Sequence, residues 1–489
     1  MLTEAPPSLP YVSEGRRGAS DRRPAAGYWT RLLPLLALLA CVTRIPSFAV
    51  PLWNPDEGYL AVQARMLAHG GQLYETVVDR KPPLVPWLYE AAFAVFGSGS
   101  LTPLRVCAVA AQLTSAVLLA SIARRRWGDT AGRTAGVLCL LLSVGLNPED
   151  AQAATFEVFI LPWTVAAVWC ADRRRWALCG IAIAGAFLAK QTGAAVAVPV
   201  AWAMWRCGAG GRDVVRCAAG VAGPVLAAAL ATDPAGFLFW TVTGSGAYAS
   251  FTGSELHVLA RGLTNTAILA VACAGILPPV VRVLRIARTG CGELWLWLAS
   301  SAGAVLVGFH FFGHYFLQLV PPLALLGTAA LQILPRDRLV TAVLTSLCCC
   351  GLFLAWGMLA PRPELGHAQR VAQALRAHAA AREPVLVWGM HPETYWLADR
   401  APASRYLTAG LLTNYSGGRD GPQVGEKYAV DGAWRTFRRE FADGPPAVVV
   451  DDSRGRAYGV ERTRSLRRML VGYEAVGNVD GAVVYVRRN

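Results

Sequence analysis

The stretch WNPDEGYLAVQARMLAHGGQLYETVVDRKPPLVPW, residues 53–87, decides how the rest of the chain is interpreted. It contains an acidic pair, Asp56 and Glu57, and a basic pair, Arg80 and Lys81, which precedes two prolines. Apolar segments lie on both sides of the stretch. Because ionisable residues between membrane spans are costly to place, such a loop usually marks a functional site.

The composition indicates a protein that crosses a membrane several times. The 489 residues are 54% hydrophobic and 16% charged, and the mean hydropathy is +0.38. Soluble domains carry about 25% charged residues. The formal net charge is +14, but the arginine clusters lie between apolar runs, where they indicate cytoplasmic loops. No basic, aromatic-bearing module appears, so nucleic acid is not an expected partner.

Apolar runs predict about eleven transmembrane helices. They lie near residues 30–50, 102–123, 131–147, 155–171, 175–190, 193–206, 214–231, 261–283, 292–310, 312–334 and 338–359. The first run follows an arginine-rich tail and leads into further spans, so we expect a retained anchor and not a cleaved signal peptide. The run 84–97 is too short to span comfortably and predicts an interfacial or re-entrant helix.

The distribution of lysine and arginine predicts a multi-pass protein of the cell membrane with a cytoplasmic N-terminus. The basic loops, expected in the cytoplasm, are 124–133, 172–176, 206–216, 282–288 and 335–338. The first loop, the tail after about residue 360, and three further loops are then extracytoplasmic; these loops are 147–157, 233–257 and 309–314. The unusual polar residues would thus gather at one surface, as a catalytic pocket requires.

Three parts of the chain are expected, and the fold class is an α-helical polytopic membrane protein with a small C-terminal α/β domain. They are a disordered cytoplasmic tail (1–28), a transmembrane catalytic domain (29–360, first outer loop about 51–101) and an extracytoplasmic α/β domain (361–489). In the last part, apolar runs alternate with helix-like stretches. The runs are 384–389, 447–452 and 482–488, and the helix-like stretches are 367–383 and 465–473.

Asp56 and Glu57 have two compatible interpretations. A carboxylate shielded from water near a membrane interface can act as a general base, and its neighbour can position a substrate or a metal. Asn54 and Pro55 before the acidic pair also form a typical helix start, where acidic residues are favourable.

The basic residues of the loops allow phosphate binding or a structural role. Arg80 and Lys81 could bind a phosphate or contact lipid headgroups, and spacing alone does not decide between them. Lys190 is the only lysine between Lys81 and Lys427. It suits a lipid phosphate, and the alternative is an interfacial anchor.

Glu157 begins a predicted span, where the helix dipole favours a carboxylate, and a site role is equally consistent with its apolar neighbours. Glu149 and Asp150 are interpreted as solvated loop charges. His391, in the tail, is interpreted as a loop histidine that could line an acceptor cleft.

His310 and His314 are four residues apart and would share one helix face if the segment is helical. The pair could ligate a metal, but no HExxH pattern accompanies it. We favour His314 and Tyr315 as contacts to a phosphate or a sugar.

The order of these motifs resembles a known family. The elements are DEGY (56–59), a DxKPP-like element (79–83), TFE (155–157), LAKQTG (188–193) and GHYFLQLVPPLALL (313–326). They resemble bacterial membrane glycosyltransferases of the GT-C superfamily, in particular family 39, the protein O-mannosyltransferase-like enzymes. The chain is also similar to the aminoarabinose transferases that modify lipid A. The resemblance covers about residues 30–335.

The resemblance implies a polyprenyl-phosphate sugar as donor, an extracytoplasmic acceptor (protein, lipid or cell-envelope glycan) and inversion of the anomeric centre. It implies that Asp56 is the catalytic base and that Glu57 stands beside it. The implied ligands of the donor phosphate are Arg80, Lys81, Lys190 and His314. The implied substrate contacts are Tyr59, Glu157 and Tyr315. No nucleotide-binding motif is required, because the donor arrives on a lipid.

Two departures from the family pattern limit these implications. Some related enzymes have an acid directly before the Lys-Pro pair, where this chain has Arg80 and places Asp79 one residue earlier. A metal role for that acid is therefore not carried over, and no metal ligand is predicted, although a divalent cation stays open. The tail also lacks the lectin-like β-trefoil of the eukaryotic enzymes.

Two alternatives belong to other functional classes. A transporter or lipid flippase would show internal repeats or interrupted helices in matched halves, and no such symmetry is visible. A non-catalytic envelope-assembly protein with the same fold would bind polyprenyl phosphate without turnover. The sequence leaves the sugar and the acceptor open.

Overall fold

A computed structural model describes residues 25–244, 255–286, 291–307, 310–415 and 421–488. The predicted disordered tail lies outside the described residues up to residue 24, as do parts of the predicted loops 233–257, 282–288 and 309–314. The chain divides into two compact units. We call them the helical unit (Met1–Val50, Arg105–Ala227 and Leu263–Leu359) and the mixed unit (Pro51–Leu104, Ala228–Gly262 and Ala360–Asn489).

The chain up to residue 359 is built of helices. In chain order they are α1 (Ala25–Thr43), α2 (Pro55–Ala68), α3 (Leu84–Phe96), α4 (Thr102–Trp127), α5 (Asp129–Leu142), α6 (Pro148–Ala151), α7 (Phe156–Ala171), α8 (Trp176–Ala189), α9 (Ala197–Arg206), α10 (Gly211–Leu230), α11 (Pro234–Leu238), α12 (Glu255–Ala272), α13 (Leu277–Ile286), α14 (Gly292–Val307), α15 (Val320–Leu331) and α16 (Arg336–Leu359). Turns of 3₁₀ helix lie at Ile45–Phe48, Gln191–Val196 and Gly313–Leu319, and a π-helical turn lies at Phe239–Thr243.

Long apolar helices make this a membrane protein. Among the described residues, four helical stretches are long and apolar enough to cross a membrane: Thr102–Trp127, Gly211–Leu230, Gly313–Leu331 and Arg336–His378. Shorter apolar helices lie at Gly27–Thr43, Leu84–Phe96, Phe156–Ala171, Trp176–Ala189 and Gly292–Val307. The predicted polytopic helical class is confirmed, and the short apolar run 84–97 is indeed a helix, α3.

One predicted span differs from the structure. The run 261–283 was expected to be a single helix, but α12 ends at Ala272 and α13 begins at Leu277. Pro278 and Pro279 follow this break, and a proline cannot donate the backbone hydrogen bond that would continue α12 into α13. The apolar run therefore contains two shorter helices.

The mixed unit contains the sheet predicted for the tail. Its tail helices are α17 (Pro363–His378), α18 (Glu393–Ala398), α19 (Gly410–Thr413), α20 (Ala433–Asp443) and α21 (Arg464–Met469), and its strands are β1 (Val385–Trp388), β2 (Val448–Asp451), β3 (Tyr473–Val479) and β4 (Ala482–Arg487). The strand order is β1-β2-β4-β3. β1 pairs with β2 in parallel, whereas β4 is antiparallel to both β2 and β3.

The strand β3 was missed by the apolar pattern. Most of its residues are exposed, and it includes Gly477 and Asn478, which disfavour strands. Its partner β4 follows after a tight turn at Asp480 and Gly481, both with positive φ. This turn, and not hydrophobicity, specifies the hairpin.

Candidate active-site clusters

The acidic pair of the mixed unit lies in the first turn of α2. Asn54 caps this helix, because its side chain accepts a hydrogen bond of 3.1 Å from the backbone N–H of Glu57. The Glu57 carboxylate is fully buried and accepts a hydrogen bond of 2.8 Å from the Trp53 backbone N–H. The helix start predicted from the sequence is present, with Glu57 in the first turn of α2, and a part of Glu57 in the chemistry stays a prediction.

The loop that carries the basic pair is held against the same helix. Tyr59 and Gln63 are four residues apart and lie on one face of α2. The Tyr59 hydroxyl donates to the Val78 carbonyl at 2.9 Å, and the Gln63 amide donates to the Asp79 carboxylate at 3.2 Å. One turn of α2 therefore positions the segment that leads into Lys81.

Asp79 is the residue of this cluster that the motif analysis did not select. Its carboxyl group is buried, and burial raises its pKa to about 6. The charge of Lys81 and the hydrogen bond from Gln63 oppose this rise, whereas the charge of Asp56 adds to it. Asp79 therefore interacts electrostatically with both Asp56 and Lys81.

The side chains predicted to act directly remain accessible. Asp56, Arg80 and Lys81 are each half-buried, unlike Glu57 and Asp79. Tyr59 is also half-buried, but its hydroxyl is engaged by the Val78 carbonyl. Asp56, Arg80 and Lys81 are thus partly open to solvent, and the roles predicted for these residues stay predictions.

The tail of the mixed unit packs directly on this helix. A Cβ atom added to Gly58 would collide with the backbone and Cβ of Glu393, so only glycine fits here. The Arg362 guanidinium lies 3.6 Å from the centre of the Trp53 ring. Further along α2, Arg65 forms an ion pair of 3.0 Å with Asp399. The predicted catalytic helix and the α/β tail therefore share one packed core.

In the helical unit, Glu157 and Lys190 form a buried ion pair. Their side chains are only 1% and 5% exposed. Glu157 lies in the first turn of α7, and Lys190 directly follows α8. The Lys190 ammonium also lies 3.8 Å from the centre of the Tyr315 ring. A phosphate bound by Lys190 would have to compete with the Glu157 carboxylate.

His314 joins this pair through its two ring nitrogens. Nδ1 lies 2.6 Å from the Asp150 carboxylate, and Nε2 lies 3.8 Å from the Glu157 carboxylate. The interpretation of Asp150 as a solvated loop charge is therefore wrong, since its side chain is only 15% exposed. Glu149, in contrast, is exposed.

The condition under which His310 and His314 would share a helix face is not met. His310 lies outside the helices, Phe311 has a positive φ of 46°, and the 3₁₀ turn begins only at Gly313. The Phe312 ring lies between the two imidazoles, at 5.8 Å from His310 and 5.6 Å from His314. Their separation therefore does not follow helical spacing.

The loop that carries Asp150 is fixed by the end of α1. The buried Arg44 guanidinium donates to the carbonyl of Ala151 and, at 3.3 Å, to that of Ala153. The Gln152 amide donates to the Thr43 carbonyl at 3.0 Å. A buried arginine that binds backbone carbonyls was not selected from the sequence, because its partners lie more than a hundred residues away.

Within the residues that the structure describes, no group of three or more histidine, cysteine, aspartate or glutamate side chains is arranged to hold a metal ion. The His314–Asp150 contact occupies one nitrogen of the histidine for which a metal was considered. We therefore assign no metal ligand.

The described geometry can be compared with known proteins. Residues 80–232 match the family model described as dolichyl-phosphate-mannose-protein mannosyltransferase. No curated protein sequence matches the chain significantly. The solved structure of ArnT from Cupriavidus metallidurans, bound to undecaprenyl phosphate, superposes with a TM-score of 0.63, at 16% identity over 94% of this chain and 98% of ArnT.

The chain has the GT-C fold. The archaeal oligosaccharyltransferase AglB from Archaeoglobus fulgidus, in complex with an inhibitory peptide and a dolichol-phosphate, matches with a TM-score of 0.56 and 14% identity. This match covers 95% of the chain and 75% of AglB. The GT-C fold inferred from the DEGY and KPP elements is thus confirmed.

Proposed function

We propose that this protein is a glycosyltransferase that moves a sugar from a polyprenyl phosphate to an acceptor outside the membrane. The observation that carries the proposal is the start of α2. There the half-buried Asp56 carboxylate interacts electrostatically with Asp79, which also interacts with Lys81, in a chain with the GT-C fold. The family match from Arg80 to residue 232 supports the same activity.

The reaction assigns a separate role to each charge. Asp56 takes the proton of an acceptor hydroxyl while that oxygen forms a bond to the anomeric carbon. The bond between this carbon and the phosphate oxygen breaks, its electron pair leaves with the polyprenyl phosphate, and the anomeric centre inverts. Arg80 and Lys81 stabilise the negative charge that develops on the departing phosphate.

Three side chains of α2 hold the proposed catalytic residues in position. Glu57 holds the first turn of α2 through the Trp53 N–H, so that Asp56 presents its carboxylate from a fixed helix start. Gln63 and Tyr59 fix the segment before Lys81. Glu57 is therefore proposed as a positioning residue, and Asp56 as the base.

In the helical unit, Lys190 and His314 are proposed as further phosphate ligands, and Glu157 and Tyr315 as substrate contacts. The Glu157 carboxylate gives the buried Lys190 ammonium a counter-ion in its apolar environment. The bound undecaprenyl phosphate of ArnT and the dolichol-phosphate of AglB support a lipid phosphate as the donor's carrier.

The proposed orientation follows the arginine-rich loops. The N-terminus would lie in the cytoplasm, and the α/β tail, residues 361–489, would be extracytoplasmic. A cysteine-accessibility experiment on residues of the tail would test this orientation.

The activity is tested by Asp56→Asn, which keeps the shape of the side chain but cannot accept the proton. Loss of a general base costs about a hundredfold or more in rate. The assay measures transfer of labelled sugar from polyprenyl phosphate into envelope material of cells that express the variant. Glu474→Gln, an exposed change on β3, is the matched control, since its side chain is 66% exposed.

The expected outcome is near-complete loss of transfer in Asp56→Asn, with normal membrane insertion and unchanged transfer in Glu474→Gln. Full transfer by Asp56→Asn would rule out the proposed base. Binding of polyprenyl phosphate without any turnover in the unaltered protein would instead favour a non-catalytic envelope-assembly protein.

A further inference from the structure

A second cluster of ionisable side chains lies in the mixed unit, at the carboxyl ends of the parallel strands β1 and β2. His391 and Glu393 follow β1, and Asp452 and Arg454 follow β2. In parallel α/β sheets, ligands bind at this edge, because the loops after neighbouring strands converge there. The cluster is distinct from the residues assigned to the transfer step.

Hydrogen bonds and an ion pair join these residues into one network. His391 Nδ1 lies 2.9 Å from the Glu393 carboxylate, and His391 Nε2 lies 2.8 Å from the Arg454 guanidinium. Arg454 Nε lies 3.7 Å from the Asp452 carboxylate. Asp452 is also bonded to His367 of α17, at 2.8 Å.

Two oxygens of this network have no partner in the described residues. They are Oε2 of Glu393 and Oδ2 of Asp452. The two side chains are only 3% and 0% exposed. A buried carboxylate oxygen without a donor costs free energy, so both oxygens point to a ligand that supplies hydrogen-bond donors.

The surroundings of Arg454 indicate which kind of hydrogen-bond donor a ligand would supply. Arg454 already supplies a positive charge to Asp452, and it also pairs with Glu364 at 2.9 Å. Arg454 is 35% exposed and Glu364 is 58% exposed, so the network opens to solvent on this side. Hydroxyl groups fit best, since each can donate to a carboxylate and accept from a guanidinium.

We propose that Glu393, Asp452 and Arg454 form a binding site for a carbohydrate, whose hydroxyls donate to the two carboxylate oxygens and accept from Arg454. This inference rests on the proposed function, for which it names a glycan as the acceptor. The saccharide would bind in the tail, on the side of the mixed unit that contacts α2.

The contact between Glu393 and Gly58 connects this site to the predicted base. Gly58 lies two residues after Asp56, in the same turn of α2. Because a Cβ at Gly58 would collide with Glu393, the carbohydrate site and the start of α2 cannot separate without a repacking of the core. A saccharide held by Glu393 therefore lies within reach of the helix turn that carries Asp56.

The test is equilibrium binding to the purified full-length protein, without donor lipid, in a detergent that lacks a sugar headgroup. The probes are the methyl glycosides of mannose, galactose and arabinose, with methylammonium chloride and calcium chloride as comparators. The variants are Glu393→Gln, Asp452→Asn and Arg454→Gln, and Glu474→Gln is the control. Saturation-transfer NMR and calorimetry measure the affinity.

We expect at least one methyl glycoside to bind, with an affinity about tenfold weaker in Glu393→Gln and Asp452→Asn and unchanged in Glu474→Gln. Arg454→Gln changes a partly exposed side chain and should also weaken glycoside binding. It therefore tests the site even if either buried variant fails to fold. The inference is overturned if no glycoside binds, or if all variants bind alike. It is also overturned if methylammonium or calcium binds and this binding depends on the same residues.

Because the donor is absent, the experiment is independent of catalysis. If a variant of the tail site loses glycoside binding but still transfers sugar, the proposed acceptor site is contradicted and the proposed glycosyltransferase activity is not. Glycoside binding with no transfer in the unaltered protein would contradict the glycosyltransferase and leave a carbohydrate-binding tail.

Discussion

The two predicted charge clusters differ in how far their carboxylates are buried and in which groups pair with them. In the mixed unit, Asp56 stays half-buried while its neighbours Glu57 and Asp79 are buried. In the helical unit, Glu157 is buried with Lys190 as its counter-ion, and His314 completes the set. One cluster keeps a carboxylate partly exposed to solvent, and the other pairs its charges with one another.

This difference indicates which residues tolerate change. A half-buried charge can be removed with little effect on folding, because water replaces its partners. Loss of one partner of a buried ion pair destabilises the folded protein, because the other charge stays in an apolar environment. Variants of the two clusters should therefore separate effects on function from effects on stability.

The largest effect is expected from Lys190→Met. This change leaves Glu157 buried without its ammonium partner and should lower the free energy of unfolding by about 3 kcal/mol. Lys190→Met combined with Glu157→Leu should recover most of this loss, since no buried charge remains. Thermal unfolding of the purified variants measures both. Equal stabilities for the single variant and the unaltered protein would mean that the pair is solvated.

The next effect is the pH dependence introduced by Asp79. Its folded-state pKa of about 6 is raised above the usual value of 3.8, so the folded state favours the neutral acid. The resulting stabilisation is complete below pH 3.8 and is lost as pH rises through about 6.

Asp79→Asn, which stays neutral and can still accept from Gln63, should therefore be more stable than the unaltered protein at pH 7.5. The gain is about 3 kcal/mol at most and should vanish near pH 4. Unfolding curves at several pH values give this difference. A constant difference across that range would contradict the assigned pKa.

Lys81→Met is the functional counterpart of Lys190→Met. Because Lys81 is half-buried, its removal should leave the unfolding temperature nearly unchanged. It should weaken binding of polyprenyl phosphate about tenfold, as expected for loss of one charge-assisted hydrogen bond. Binding to the purified protein measures the affinity. A large loss of stability with unchanged affinity would reverse the contrast between the two lysines.

The smallest effect is expected at the helix cap. Asn54→Ala removes the acceptor of the Glu57 N–H and should cost about 1 kcal/mol of stability. Transfer should fall only modestly, since Asp56 keeps its carboxylate. Asn54→Ser is the control that restores a cap. If the serine variant is as unstable as the alanine variant, the cap is not the cause.

Most of the helices could be predicted from the sequence because the apolar runs are long and the breaks between them are polar. The break before α13 was missed, since apolar residues surround the two prolines that cause it. The hairpin strand β3 was missed for the opposite reason: it is exposed and has few apolar residues. Hydrophobic periodicity reports burial, and these two segments are specified by backbone chemistry.

The site could be predicted only where a motif is local. DEGY and KPP are contiguous, so their residues were selected, and a helix start was anticipated from Asn54 and Pro55. The partners of these motifs come from distant segments. Asp150 meets His314 across 164 positions. Glu393 reaches Gly58 from the tail. No local pattern encodes such contacts.

The contact of Gly58 with Glu393 has a consequence for the modularity of this protein. A tail that rests on the helix of the predicted base is not an appendage that can be exchanged at will. A chimera that joins this chain to the tail of another GT-C protein would need a matching surface against α2. We expect a chimera to fold only when α2 and the tail come from the same parent protein.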